Sequence, residues 1–191
     1  MKVLIVGNGG RESAIAQKLV SDSRPVELFF ASGNATTESL GKNIPFDGIK
    51  ELKNFALDNH IDLTIVGPEA PLVDGIVEEF KGAGLKIFGA KYRAAQLEGN
   101  KAFSKKFMQD HNVKTATAKV FDSYVEAVEY LDSKTFPIVV KASGLAGGKG
   151  VVICENKNIA KETLYSFMIN RIHGDSGIRV VIEDYLIGFE A

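Results

Sequence analysis

Lys141-Ala142-Ser143-Gly144-Leu145-Ala146-Gly147-Gly148-Lys149-Gly150 lies between two apolar stretches, Phe136-Pro137-Ile138-Val139-Val140 and Val151-Val152-Ile153-Cys154. Short runs rich in Val and Ile, separated by glycines, read as the two strands of a hairpin and its flexible loop. That context excludes the other common arrangement of glycines and lysine. A P-loop needs four residues between its glycines, a Ser or Thr after its lysine, and a helix behind it whose dipole faces phosphate. Here Gly144 and Gly148 enclose three residues, Gly150 follows Lys149, and a strand comes next. What remains is a pliant backbone flanked by the ammonium groups of Lys141 and Lys149. Such a loop suits a polyphosphate, so nucleotide handling is the first expectation.

Working outward, Ala118 to Phe121 reads as extended, and Ser123-Tyr124-Val125-Glu126 as a capping box opening a helix through Leu131. After the hairpin come a helix with Leu164, Phe167 and Met168 on one face and a strand from Ile178 to Glu183. The order β, α, β, β, α, β predicts an antiparallel sheet with helices on one face. Before about Asn100 the pattern is different. Val3 to Val6 is apolar, Arg11 to Val20 helix-like and Val26 to Ala31 apolar again. Asp62 to Val66 reads as a strand, and Val73, Ile76, Val77 and Phe80 form one helical stripe before a short strand, Leu85 to Phe88. This α/β alternation predicts a doubly wound parallel sheet, with ligands beyond the carboxyl ends of its strands, at Gly7 to Glu12, Ala31 to Ala35 and Gly67 to Leu72. Residues 1–100 and 101–191 are thus expected to form two domains, the second a smaller α+β lobe. The run Glu183 to Glu190 reads as a strand entering a turn, so the chain is expected to be the amino-terminal part of a longer protein.

Composition narrows the function classes. With 23 Lys and Arg against 24 Asp and Glu, the formal charge is -1, and no general basic field favours nucleic acid or an anionic membrane. Any anion must be held by local arrangement. No apolar run approaches the ~20 residues of a membrane span, and Met1 to Gly7 becomes glycine-rich too soon for a signal peptide; a cytoplasmic location is the expectation. The single cysteine, Cys154, sits in an apolar strand pattern and is read as a buried structural thiol. His60, His111 and His173 show no metal-ligand spacing and are assigned to surface or capping roles, so no metal ligand is named.

Gly7-Asn8-Gly9-Gly10-Arg11-Glu12 follows the first strand and opens the first helix, where free amides and the positive helix end suit a phosphate. As a dinucleotide fingerprint it fails, because Glu12 occupies the third glycine position and no acid closes the second strand. Glu69, in Gly67-Pro68-Glu69-Ala70-Pro71-Leu72, either accepts from a substrate amine or hydroxyl or simply sits at a helix start. Lys105 and Lys106 read as a solvated charged face of a short helix; Lys101 is set apart by following Leu97-Glu98-Gly99-Asn100 at the junction of the two patterns.

Taken in order, Gly7 to Glu12, Thr64 to Leu72, Ala94 to Gly99 with Lys101-Ala102-Phe103, and Lys141 to Gly150 resemble the amino-terminal half of the phosphoribosylamine-glycine ligases, of the ATP-grasp superfamily. The resemblance implies a Rossmann-like amino-terminal domain followed by part of an ATP-grasp domain. It also implies an ATP- and magnesium-dependent ligation of glycine to 5-phosphoribosylamine through glycyl phosphate. In that pattern Lys101 and Lys141 meet the ATP phosphates, with Gly147, Gly148, Lys149 and Gly150 as the lid. Glu183, the backbone of Asp184 and Leu186, and Glu190 would line the adenosine, and Gly9, Gly10, Arg11, Glu12 and Glu69 would hold the sugar phosphate. Magnesium-binding carboxylates are expected beyond residue 191, so the chain alone is expected to be inactive. Ser13 stands where the family usually has His, Ser143 where it has Asp and Phe189 where it has an acid; none of these removes a phosphate ligand. The rival readings are a ligase carboxylating aminoimidazole ribonucleotide, a non-catalytic nucleotide-binding module and a dinucleotide-dependent oxidoreductase.

Overall fold

The computed structural model describes residues 1–188. The chain divides into two compact units, the first Met1–Ala95 and the second beginning at Gln96.

The first unit opens with β1 (Lys2–Gly7), α1 (Gly10–Val20) and β2 (Glu27–Ser32), followed by α2 (Ala35–Glu38), β3 (Lys42–Ile44) and α3 (Ile49–Asp58). It continues through β4 (Leu63–Val66), α4 (Glu69–Val73), α5 (Ile76–Gly82) and β5 (Ile87–Phe88) to α6 (Tyr92–Gly99), within which the division falls. The five strands are parallel, in the order β3-β2-β1-β4-β5. Burial on both faces explains why β1 and β2 are apolar without alternation. Leu4, Val6, Phe29 and Ala31 pack against Leu52, Ala56, Ile76 and Phe80 on one face, while Val3, Ile5, Leu28 and Phe30 meet Ala16 on the other.

The helix expected across Val73 to Phe80 is two helices. Gly75 adopts a left-handed conformation, φ 84°, and opens α5, so Ile76, Val77 and Phe80 are fully buried while Val73 is half-buried.

The second unit contains α7 (Lys101–Asp110), β6 (Ala118–Phe121), α8 (Tyr124–Tyr130), β7 (Ile138–Ala142), β8 (Val151–Cys154), α9 (Lys157–Leu164) and β9 (Val180–Asp184). The sheet is antiparallel, in the order β6-β9-β7-β8. Ile138, Val140, Ala142, Cys154, Val180 and Ile182 point to one face, where Ala127 and Leu131 beside α8 and Ala160 and Leu164 of α9 cover them. Period two then sends Val139, Lys141, Val181 and Glu183 to the other face. Cys154 is buried as a structural thiol, its proton held by burial above the usual range.

Candidate functional site

Sheet register builds the core of the site. Val139 lies opposite Glu183 and Lys141 opposite Val181, so Lys141 and Glu183 are diagonal neighbours on the same face. Lys141 Nζ lies 2.8 Å from Glu183 Oε2.

Helix α7 supplies the remaining cations. Its Asn100 cap accepts from Phe103 N–H, and Ser143 Oγ donates to Asn100 Oδ1 while accepting from Ala102 N–H. Lys101 N–H donates to Ser143 O at 2.7 Å, and Lys101 Nζ donates to Gly144 O at 3.1 Å. The start of α7 is therefore fastened to the end of β7, and the departure at Ser143 is a working part of that fastening.

A turn of helix later, Lys105 points to the same side, as i, i+4 spacing requires. It is not a solvated face residue as the sequence suggested: it is 7% exposed and lies 3.2 Å from Glu183 Oε1. Lys106, one position on, is exposed and pairs with Asp110.

Lys101, Lys105, Lys141 and Glu183 share a cavity of about 400 Å³, whose wall also includes Leu97, Met108 and Leu186. Three ammonium groups face one carboxylate there, an excess of positive charge in a chain whose net charge is -1. The stress falls on Lys101. Burial, and then the charge of Lys141, lower its pKa, against smaller opposing effects of Glu98 and Glu183. An anion entering the cavity would offset the repulsion between Lys101 and Lys141 and favour the charged form of Lys101.

The other expected nucleotide residues divide. Gly147 and Gly148, φ 56° and 77°, turn the hairpin tip and, with Lys149, are exposed; none of them lines the cavity, nor does Gly150. A side chain at either turn position would be strained even though the space is open. The Asp184 side chain pairs with Lys134 at 2.5 Å, which lowers the Asp184 pKa and raises that of Lys134. Glu190 lies outside the described residues.

In the first unit, the loops after β1 and β4 adjoin where the strand order reverses, with Gly67 N–H donating to Val6 O. Gly9 and Gly10 are exposed at the start of α1, and Arg11 Nη2 lies 3.6 Å from Glu69 Oε2. Glu12 is different: it is 3% exposed, its Oε2 accepts from Gly9 N–H at 2.5 Å, and its Oε1 has no hydrogen-bond partner. Its side chain fills the space above Gly7 and Gly67, where an added Cβ would collide with it. Ser13 Oγ donates to Gly9 O and accepts from Asn34 Nδ2, binding the same turn to the segment after β2.

Residues 1–98 match the phosphoribosylglycinamide synthetase N domain and residues 99–191 the phosphoribosylglycinamide synthetase ATP-grasp (A) domain. The chain belongs to the phosphoribosylglycinamide synthetase family. It is 53% identical to the phosphoribosylamine-glycine ligase of Clostridium acetobutylicum over 193 residues, an alignment covering 100% of this chain and 46% of that protein. It therefore spans about half the length of such family members. Among solved structures, the phosphoribosylamine-glycine ligase of Thermotoga maritima superposes with a TM-score of 0.80 at 31% identity, covering 99% of this chain and 45% of that one. The N5-carboxyaminoimidazole synthetase of Staphylococcus aureus, complexed with ADP, gives 0.72 at 18% identity over 97% of this chain and 47% of that one, which shows a shared fold alone.

Among the described residues, no group of three or more His, Cys, Asp or Glu side chains is placed to hold a metal ion, and no helix is long and apolar enough to cross a membrane.

Proposed function

We propose that this chain supplies the substrate domain and the first nucleotide lobe of an ATP-dependent ligase that joins glycine to 5-phosphoribosylamine, giving glycinamide ribonucleotide, ADP and phosphate. The observation that carries the reading is the convergence of Lys101, Lys105 and Lys141 on one cavity with a single carboxylate. Phosphoryl transfer asks a protein chiefly to position its reactants and to neutralise developing charge, and this cavity holds fixed cations in excess.

ATP fits the residues present. Lys101 and Lys141 each keep N–H groups beyond their single protein acceptor, Gly144 O for one and Glu183 Oε2 for the other, and these would meet phosphate oxygens. Gly147 to Gly150 would close as a lid, and the backbone of Asp184 and Leu186 would read the base. Glycine would attack the γ-phosphate through its carboxylate, releasing ADP. The amine of 5-phosphoribosylamine would then displace phosphate from glycyl phosphate. In the first unit, the Gly9 N–H is taken up by Glu12 Oε2, and the Gly10 amide with Arg11 and Glu69 would suit a sugar phosphate bearing an amine. Among the described residues no group of carboxylates is placed to hold magnesium.

Titration calorimetry of this chain with ATP tests the site. Lys141→Met is expected to weaken binding by about tenfold or more, the scale of one charge-assisted hydrogen bond, with the fold unchanged by circular dichroism. Undiminished binding removes Lys141 from the site. In a full-length ligase built on this chain, sustained ADP turnover must require both glycine and 5-phosphoribosylamine; turnover driven by bicarbonate with aminoimidazole ribonucleotide would overturn the substrate assignment.

A further inference from the structure

Asn34 follows β2 and has no part in the reading above. Its side-chain oxygen accepts from Thr36 N–H at 2.8 Å and Thr37 N–H at 3.1 Å, capping α2. Its amide nitrogen donates to Asn8 O at 2.9 Å and to Ser13 Oγ at 3.1 Å. A carboxamide has two N–H donors and one oxygen with two lone pairs, so nothing on the Asn34 side chain remains for a ligand. Glu12 is equally occupied. The resemblance places it against the sugar phosphate, yet it is 3% exposed, its Oε2 accepts from Gly9 N–H at 2.5 Å and its Oε1 is buried without a partner.

These two side chains hold one peptide bond from opposite ends. A trans peptide is planar, and its C=O and N–H point in opposite directions. In the Asn8-Gly9 unit, Asn34 takes the carbonyl and Glu12 the N–H. The next unit is fixed at its carbonyl, because Gly9 O accepts from Ser13 N–H and Ser13 Oγ, each at 3.3 Å. Its other end, the Gly10 N–H, has no acceptor among the described residues and points out of the start of α1. Gly9 and Gly10 carry no side chain to restrict them, so these anchors are what stop the turn from rotating.

We propose that Glu12 and Asn34 are positioning residues: together they hold the Asn8-Gly9 peptide from both ends and so aim the Gly10 N–H at the substrate phosphate. The inference rests on the sugar-phosphate reading of this turn. It goes beyond that reading by giving Asn34 a part and by assigning Glu12 no direct contact with the ligand.

Ribose 5-phosphate is the probe, titrated by calorimetry into this chain and its variants, with folding checked by circular dichroism. Asn34→Ser keeps an oxygen to cap α2, adds no charge and cannot span to Asn8 O. It is expected to weaken binding by about tenfold, the worth of one oriented hydrogen bond to a charged group. At Glu12, positioning and plain electrostatics have opposite signs. Glu12→Gln and Glu12→Ala both remove a negative charge, so relief of repulsion alone would make both bind at least as tightly as wild type. Positioning requires that Gln, which still accepts from Gly9 N–H, binds at least as tightly while Ala binds about tenfold more weakly. Combining Glu12→Ala with Asn34→Ser should cost little beyond either alone, because each releases the same peptide. Unchanged affinity in Asn34→Ser, undiminished affinity in Glu12→Ala, or losses that fully add would overturn the proposal. Should Glu12→Ala fail to fold, the Asn34→Ser result decides. If wild type does not bind ribose 5-phosphate, the sugar-phosphate reading fails. Backbone amide relaxation measured by NMR on ligand-free protein then decides the positioning claim separately. The Gly9 and Gly10 amides should show order parameters of about 0.85 in wild type and fall toward about 0.6 in Asn34→Ser; equal values in both sink the claim.

Discussion

Lys101, Lys105 and Lys106 sit within six positions of one helix and meet three different fates. Composition around them could not separate Lys105 from Lys106, since both lie in a polar stretch; the i, i+4 relation to Lys101 is the signal that does. Lys141 was legible as the cation that opens the glycine loop and Glu183 only through the family resemblance; strand register then places both on the face opposite the apolar core. The Lys105 ion pair was not legible, because it depends on how α7 crosses β9. Lys101 yields a prediction in pH. Burial and Lys141 depress its pKa, Glu98 and Glu183 only partly oppose them, and an incoming polyphosphate would raise it. Between the depressed free-state pKa and the higher bound-state pKa, ATP binding should therefore take up protons. Calorimetry in buffers of different ionisation enthalpy should show little uptake from Lys101 near neutrality and a growing uptake into the alkaline range, absent in Lys101→Met. The same shift has a sign for stability. A lysine depressed in the folded state binds fewer protons there than in the unfolded state, so it contributes a penalty at lower pH that is relieved as pH rises through the folded pKa toward the ordinary lysine value.

At the scale of elements, the hairpin of β7 and β8 and the opening β1-α1-β2 follow from local pattern, because each strand carries enough consecutive apolar residues to declare itself. The interval from Thr36 to Ile61 does not. Strand β3 has three residues and buries only Ile44, too little for any period to register, and Gly41, Pro45 and Gly48 interrupt the run. The break between α4 and α5 was hidden for the opposite reason, since an apolar stripe continues across a glycine that starts a new helix. The turn at α1 makes its own prediction. Gly67 is required by close approach: a Cβ there would overlap Glu12 Oε1, while the rest of that carboxylate caps Gly9. Gly67→Ala should destabilise the first unit by about 1–3 kcal/mol, the cost of forcing extra volume into a filled space. In a Glu12→Ala background the same substitution should cost much less, because the colliding carboxylate is gone. Equal costs in both backgrounds, read from urea unfolding, would show that Glu12 is not what excludes a side chain at Gly67.

For the whole molecule, the near-zero net charge and the cationic cavity are compatible because the charges are local: the fold gathers three lysines from α7 and β7 around one acid. Each unit also has its own apolar packing, the first with Phe80 and Leu4 on one face of its sheet and Phe30 on the other, the second around Ile138, Leu164 and Ile182. A chain with two separate cores does not need to unfold in one step. Phe80→Ala should remove about 3–5 kcal/mol and Leu164→Ala about 2–5 kcal/mol, each by losing buried contacts and leaving a cavity. Hydrogen exchange followed by mass spectrometry reads the two units through their own peptides. Phe80→Ala should accelerate exchange in β1, β2 and β4 while leaving β7 and β9 protected, and Leu164→Ala should do the reverse. Acceleration of all five strands by either substitution would mean that the two cores form a single cooperative unit, and the division after Ala95 would then describe geometry without describing stability.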